Sequence, residues 1–428
     1  MQEGKKAYKW ATDIFPYNRS LTGEGVYKTL YYFKNIFKEI KIKSIKCGTK
    51  VFDWQVPLEW NVKDAYVADL NGKKVVDFKK NNLHLVGYSS PINKIISLKK
   101  LDRHLFSLKK LPNAIPYITS YYKKNWGFCI QHKKRKTLKN NKYKVFIDSH
   151  FKKGSLKYGE IYLKGKQNKE ILITTNICHP SMGNNELSGP VVSLSIARWL
   201  KKIKNKQFSY RILFLPETIG AIGYLKKNIN HLKKNVIAGY SLVCVGDNKH
   251  FSFLESKQKN SLSDCAARYI LKNQNRNVKY YSFLDRGSDE RQFNSPGVDI
   301  PISSVMRSKY GEYKEYHTSL DNLNFISSKG LESSINLYKK IISLIEKTPN
   351  VKIKINTLCE PMLSKHNLYP SISTKKTKDL VSARMNILAY ADGKSNIIQI
   401  AETTNLSIKK VLSEISILKK KNIIKIIK

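Results

Sequence analysis

At 428 residues the chain is too long for one compact domain, and a hydrophobic content of 41% supplies material for two or three cores. Lys and Arg outnumber Asp and Glu by 78 to 32, a net charge of +46. An acidic polymer would be one reason, but the lysines spread along the whole chain beside abundant Asn, Ile and Tyr, all drawn from A/T-rich codons, so compositional drift is the better one. No apolar leader opens the sequence, no run of about 18 apolar residues occurs, and the six cysteines are scattered without a C-x-x-C pair. The expectation is a chain of the reducing cytoplasm without signal peptide, membrane span, disulfide framework or cysteine zinc site.

Residues 1–46 carry apolar positions at helical spacing in "KKAYKWATDIF" and "GEGVYKTLYYFKNIFKEI", with a turn-like "PYNRSLTGEG" at their junction. From 47 to 147 the texture changes to short β-rich runs, "KVFDWQVP", "DAYVADLNGKKVVDF", "LHLVGYSS" and "WGFCIQH", with "NGKK" as a hairpin signal. This predicts a small inserted β-rich domain. From 148 to 350 strand-like runs ("EILITTNI", "YRILFLP", "GYSLVCVGD", "VKYYSFL", "IPISSVM") accompany helical patterns ("GPVVSLSIARWLKKI", "SLSDCAARYILKNQN", "LESSINLYKKIISLIEK"). Apolar strands alternating with helices predict an α/β domain with a mostly parallel sheet covered on both faces.

After "LYPSIST" the texture changes once more. "KDLVSARMNILAYA" reads as a helix, "DGKS" as a turn, "NIIQIAETT" as a short helix, and "NLSIKKVLSEISILKKKN" as a longer one with Ser407 as N-cap. "IIKIIK" closes as a strand. Three helices and a terminal strand over 370–428 predict a winged helix.

In open α/β sheets, function gathers beyond the carboxyl ends of the strands. His179 follows "ILITTNIC", and Glu186 stands where the next helix opens. Glu217 follows "RILFLP", Asp247 follows "SLVCVG", and His317 and Asp321 come in "EYHTSLDN" after "PISSVM". Each has an ordinary explanation taken alone. A strand-end histidine is usually just hydrogen-bonded, Glu186 could favour a helix N-terminus, Glu217 could pair with a lysine, and Asp247 could form an Asx-turn. One structural rule places them all on one rim, and nitrogen and oxygen donors of these types suit zinc.

"CHPSMGNNELSGP", "RILFLPETIGAIGYL", "VGD", "GSDERQF" and "YHTSLDNL" stand in the order found in zinc aminopeptidases of the bacterial leucyl-aminopeptidase type. With "IFPYNRSLTGEGV" and "FDWQVPLEWNVKDAYV", the chain more closely resembles bacterial aminopeptidase-like proteins associated with polysaccharide biosynthesis, which carry a small inserted β domain and a C-terminal winged helix. The resemblance covers nearly the whole chain. It implies that His179, Glu186, Asp247 and His317 are metal ligands, with Asp247 as ligand or supporting group. It also implies that Glu217 is the general base and that Asp289, Arg291 and Arg307 hold polar groups of the substrate.

The chain departs from the aminopeptidase pattern in three respects. Thr218 follows Glu217 where a second acid is usual, Pro180 and Ser181 stand where an aspartate follows the first histidine, and Asn185 takes the spacing of the bridging aspartate. One zinc ion is therefore expected rather than two. The implied activity is hydrolysis of a small peptide or amide-bearing substrate by metal-activated water, with Glu217 moving the proton. The alternative is a catalytically degenerate fold that binds or regulates through its winged helix. Sequence-specific DNA binding is not favoured, because the apolar face of the lysine-rich "IKKVLSEISILKKK" is needed for that unit's own core; packing, homo-oligomer formation or partner contact is preferred.

Overall fold

The computed structural model describes residues 2–273, 277–369 and 375–427, with the side chains of 375–380 outside the description. Its central sheet has eight strands, in the spatial order Lys41–Lys46, Ser155–Leu163, Ser209–Leu215, Glu170–Asn176, Val236–Ser241, Ile302–Met306, Phe251–Leu254 and Val278–Tyr281. From Ser209–Leu215 to Ile302–Met306 the strands are parallel. Antiparallel pairings join Lys41–Lys46 and Ser155–Leu163 on one side and Phe251–Leu254 on the other. The mostly parallel α/β sheet expected from the sequence is present.

Both faces are covered because successive side chains of a strand point to opposite faces. Ile171, Ile173, Ile212 and Phe214 enter the core shared with helices Gln2–Ile14, Ser188–Lys202 and Ser328–Lys347. Leu172, Leu213 and Leu215 enter the opposite core, shared with helix Ile219–Asn235 and the inserted segment. Helix Ile219–Asn235 and the strands Ser155–Leu163 and Phe251–Leu254 were not among the predicted elements. The first residues of that helix, "IGAIGYL", are apolar all round and lack a one-sided stripe.

The inserted segment forms an antiparallel sheet of Lys74–Asp77, Glu59–Ala68, Lys142–Lys152 and Ile92–Ser97. Its hairpin turns at "NGKK", where Gly72 has φ 84°, a left-handed value that glycine adopts without cost. Strand Lys41–Lys46 leads the chain out of the two N-terminal helices and into the edge of the central sheet.

The C-terminal winged helix contains helices Lys375–Ala389, Ile397–Thr404 and Ile408–Lys420 and a sheet in the order Asp392–Asn396, Lys352–Ile355, Ile424–Ile427. The unit therefore draws its central strand from chain before 370. Part of "LYPSIST", residues 370–374, lies outside the described residues. Ser407 caps its helix by accepting from Lys410 N at 3.2 Å. "DGKS" keeps its turn chemistry, with Asp392 Oδ1 accepting from Lys394 N at 2.7 Å, inside a bulged strand.

This unit is docked on the sheet domain and not merely tethered to it. Glu402 pairs with Arg268 at 3.2 Å and Lys272 at 2.8 Å, Gln399 Nε2 donates to Asn260 O at 2.7 Å, and Ile408 N donates to Tyr269 Oη at 3.2 Å. Among the described residues no helix is long and apolar enough to cross a membrane.

Candidate metal centre and catalytic cavity

Parallel neighbours Glu170–Asn176 and Ser209–Leu215 end on the same rim, so the residues that follow them meet. Cys178-His179 leaves the first strand and Glu217 leaves the second. A cavity of about 390 Å³ opens between them, with His179, Glu217, Thr218, Arg291 and His317 in its lining. His179 Nε2 stands 3.7 Å from Glu217 Oε2, and the His179 and His317 ring centroids are 5.3 Å apart.

Glu186 lies behind His179. Its Oε2 is 2.8 Å from His179 Nδ1, and its Oε1 accepts the backbone N–H groups of His179 (2.7 Å) and Cys178. Cys178, His179 and Glu186 do offer ligand atoms within 4.8 Å of one another. Both Glu186 oxygens take part in these hydrogen bonds, and Glu186 does not line the cavity. Expected as a ligand, Glu186 belongs to the group whose ligand atoms could meet one ion, and in this structure its carboxylate also fixes the His179 ring. Arg19, fully buried, adds to this support by donating from Nε to His179 O at 3.0 Å.

Charges at this depth depend on one another. Burial disfavours an imidazolium at His179, but the adjacent Glu186 carboxylate outweighs it and lifts the pKa to about 9. Burial lowers His317 to about 3, with His179 adding repulsion. Glu217 is raised by burial, against the attraction of His179, and Cys178 is pushed well up by burial and then by Glu186.

Glu217 is aimed by a strained turn. Thr218 has φ 63°, costly for a β-branched residue, by about 1–3 kcal/mol. Two contacts hold it there: Thr218 N donates to Asp289 Oδ1 at 2.7 Å, and Arg291 Nη2 donates to Thr218 Oγ1 at 2.6 Å. Ser288 Oγ donates to Glu217 Oε1 at 2.8 Å and accepts from Asn176 Nδ2 at 2.9 Å. The "GSDERQF" loop thus positions Glu217; Asp289 reaches Thr218 and is absent from the cavity lining.

His317, at φ 53°, is presented by a loop that the inserted segment pins: Tyr117 N donates to His317 O at 2.9 Å, and Ser319 N donates to Ile115 O at 2.9 Å. The same segment brings Trp54, Tyr117, Thr119, Tyr121 and Tyr122 to the cavity wall. Sequence reasoning missed all five, because nothing in a β-rich run marks which residues face a neighbouring domain.

The structure does not bring Asp247 or Arg307 to this cavity. Asp247 Oδ2 accepts from Asn184 Nδ2 (3.0 Å) and Ser308 N (2.9 Å), and Oδ1 from Lys249 N (2.8 Å) and Ser308 Oγ (3.1 Å). The strand expected to end beside Asp247 ends at Ser241, opposite Thr174, and the chain then turns at Cys244 with φ 53°. Arg307 donates to Lys249 O and lies 4.2 Å over the Phe251 ring. Asp321 accepts the backbone N–H groups of Asn184 (2.6 Å) and Asn185 (3.0 Å) and so shapes the loop before helix Ser188–Lys202.

Sheet, rim and appended unit together define an aminopeptidase-like fold with a C-terminal winged helix. The chain belongs to the family described as "Domain of unknown function (DUF4910)", whose model matches residues 8–348; a winged helix-turn-helix model matches 351–426. It is 40% identical over 411 residues to a Clostridium acetobutylicum protein provisionally named as a polysaccharide biosynthesis protein with an aminopeptidase-like domain, covering 96% of this chain and 94% of that one. The crystal structure of a C. acetobutylicum protein provisionally described as a peptidase matches with TM-score 0.85 and 38% identity, over 100% of this chain and 97% of the other. A zinc aminopeptidase from Bacillus subtilis matches with TM-score 0.58 and 13% identity, over 80% and 94%, a likeness of fold.

Proposed function

We propose that the chain is a zinc-dependent hydrolase of amide bonds acting in this cavity. The observation that carries the reading is the convergence of His179, His317 and Glu217 on one cavity, with Glu186 fixing the ring of His179. A zinc ion suits nitrogen donors of this kind: His179 Nε2 faces the cavity and His317 lines it, while the group of described residues whose ligand atoms lie within 4.8 Å of one another is Cys178, His179 and Glu186. His179 and His317 would hold it. A single ion is favoured, since Thr218 and Asn185 replace acids and Asp247 is engaged elsewhere.

When bound, zinc supplies polarisation of the amide carbonyl and a lower pKa for attacking water, toward about 7. Glu217 takes the water's proton as hydroxide oxygen bonds to the amide carbon, and returns it to the nitrogen as the C–N bond breaks. Tyr117, Leu21 and Ile219 line the cavity with apolar surface and displace water. The unpaired state of all six cysteines supports a reducing cytoplasm as the location.

In a screen of aminoacyl and N-acyl-sugar amides, turnover should be lost on chelation and restored by one equivalent of zinc. Turnover indifferent to chelator would remove the metal from the reading.

The contacts of the winged helix weigh against a DNA-reading regulator. The first turn of its lysine-rich helix is held by Tyr269, and Ile398 and Ile408 pack on the sheet domain's core. Selection on random duplexes near physiological salt should return only salt-sensitive background binding. One enriched motif with discrimination of about 10³ or more would favour the regulatory reading instead.

A further inference from the structure

An aminopeptidase has to hold the protonated α-amine of its substrate, and an acidic side chain near the scissile bond is the usual electrostatic means. Among the described residues that line this cavity, the one carboxylate is Glu217, already accepting from Ser288. Asp289, the nearest further acid, gives Oδ1 to Thr218 N and is shut out of the lining. Apart from the two histidines, the other charged side chain there is a cation, Arg291. Its Nη2 is used on Thr218, its Nε is buried without a hydrogen-bond partner, and it makes no ion pair within 4.0 Å among the described residues. With Nε closed off from solvent, the donor left for the cavity is Nη1, which makes no hydrogen bond among the described residues, and a guanidinium so placed is suited to a planar or tetrahedral oxyanion.

The neighbouring cleft continues the pattern. It has a volume of about 750 Å³, shares Tyr121 and Tyr122 with the cavity, and is lined by Lys123 and Lys124 but by no acidic residue. A substrate extending from the cavity into this cleft meets positive charge at both ends.

We infer that Arg291 recognises an oxyanion, carboxylate or phosphate, on the substrate, and that the cavity takes amides with a blocked nitrogen in preference to free α-ammonium groups. The cleavage of such an amide rests on the proposed hydrolase function; the binding preference does not, and it can be read without turnover.

The test is calorimetric titration of the full chain with four probes: N-acetyl-L-leucine, N-acetyl-O-phosphoethanolamine, neutral N-acetyl-L-leucinamide and cationic L-leucinamide. At least one of the two anions should bind more tightly than the neutral amide by about 10- to 100-fold, the worth of one charge-assisted hydrogen bond, with the cation weakest. The first two arms show which oxyanion is preferred. In Arg291→Gln that advantage should vanish, and the melting temperature reports separately what the lost contact to Thr218 costs the fold. Should the variant fail to fold, the ranking of the four probes on the parent chain decides alone. L-leucinamide binding as tightly as the anions, no binding by either anion, or a folded Arg291→Gln that keeps the preference would overturn the inference. If the ranking holds but no amide is ever cleaved, the hydrolase reading falls and this one stands.

Discussion

Glu217→Gln is expected to keep fold and zinc and to slow hydrolysis by about 10²–10⁴-fold. The amide has the carboxylate's shape, and its oxygen can still accept from Ser288 Oγ, which holds Glu217 Oε1 at 2.8 Å. Thr218 keeps its strained turn through Asp289 and Arg291, neither of which touches the altered atom. What is lost is the ability to take a proton from water and pass it to the leaving nitrogen. The loss should therefore appear in kcat with zinc content and melting temperature unchanged. A variant that turns over at the parent's rate would take Glu217 out of the base role.

Glu186→Ala should damage both stability and metal binding. The substitution leaves His179 Nδ1 and the N–H groups of Cys178 and His179 without their acceptor, and removes the carboxylate whose charge most favours the buried Arg19 cation. Breaking one side of a buried, hydrogen-bonded charge cluster costs about 3–5 kcal/mol. A ring freed at Nδ1 also turns more easily, and losing such a supporting partner lowers metal affinity by about 10–100-fold. Glu186→Gln should be milder in stability, because its amide oxygen can still take the two backbone N–H groups. His179→Ala, which removes the proposed ligand itself, should abolish zinc retention. Urea denaturation and competition with a chelator read the two effects separately. Parental zinc affinity in Glu186→Ala would show that the carboxylate plays no part in holding the ring.

His179 and Glu217 were legible in the sequence for a physical reason. Each follows a strand buried almost throughout, the two strands pair in parallel, and parallel neighbours end on one rim. His317 was placed on the rim by the same rule although it sits on a loop well after its strand, at a left-handed φ of 53°, and the order of motifs pointed to it as well. Asp247 misled because "SLVCVG" is as apolar as a strand, yet Val243 and Cys244 are buried in a turn packed against Met306 and Tyr310. Hydrophobicity reports burial and not hydrogen-bond pairing, so a buried turn and a buried strand look alike. Spacing placed Glu186 near His179, where it is found, and could not say which imidazole nitrogen it would face. Trp54, Tyr117 and Tyr122 carried no signal, since their cavity role exists only once the inserted segment is folded against the rim.

The most direct test is anomalous diffraction at the zinc edge from crystals grown with one equivalent of zinc. The account predicts a single strong peak in the cavity, within coordination distance of His179 Nε2 and a His317 ring nitrogen, with Glu186 still on His179 Nδ1. A cavity with no peak, or a peak bound instead at Asp247 and Asp321, would contradict it.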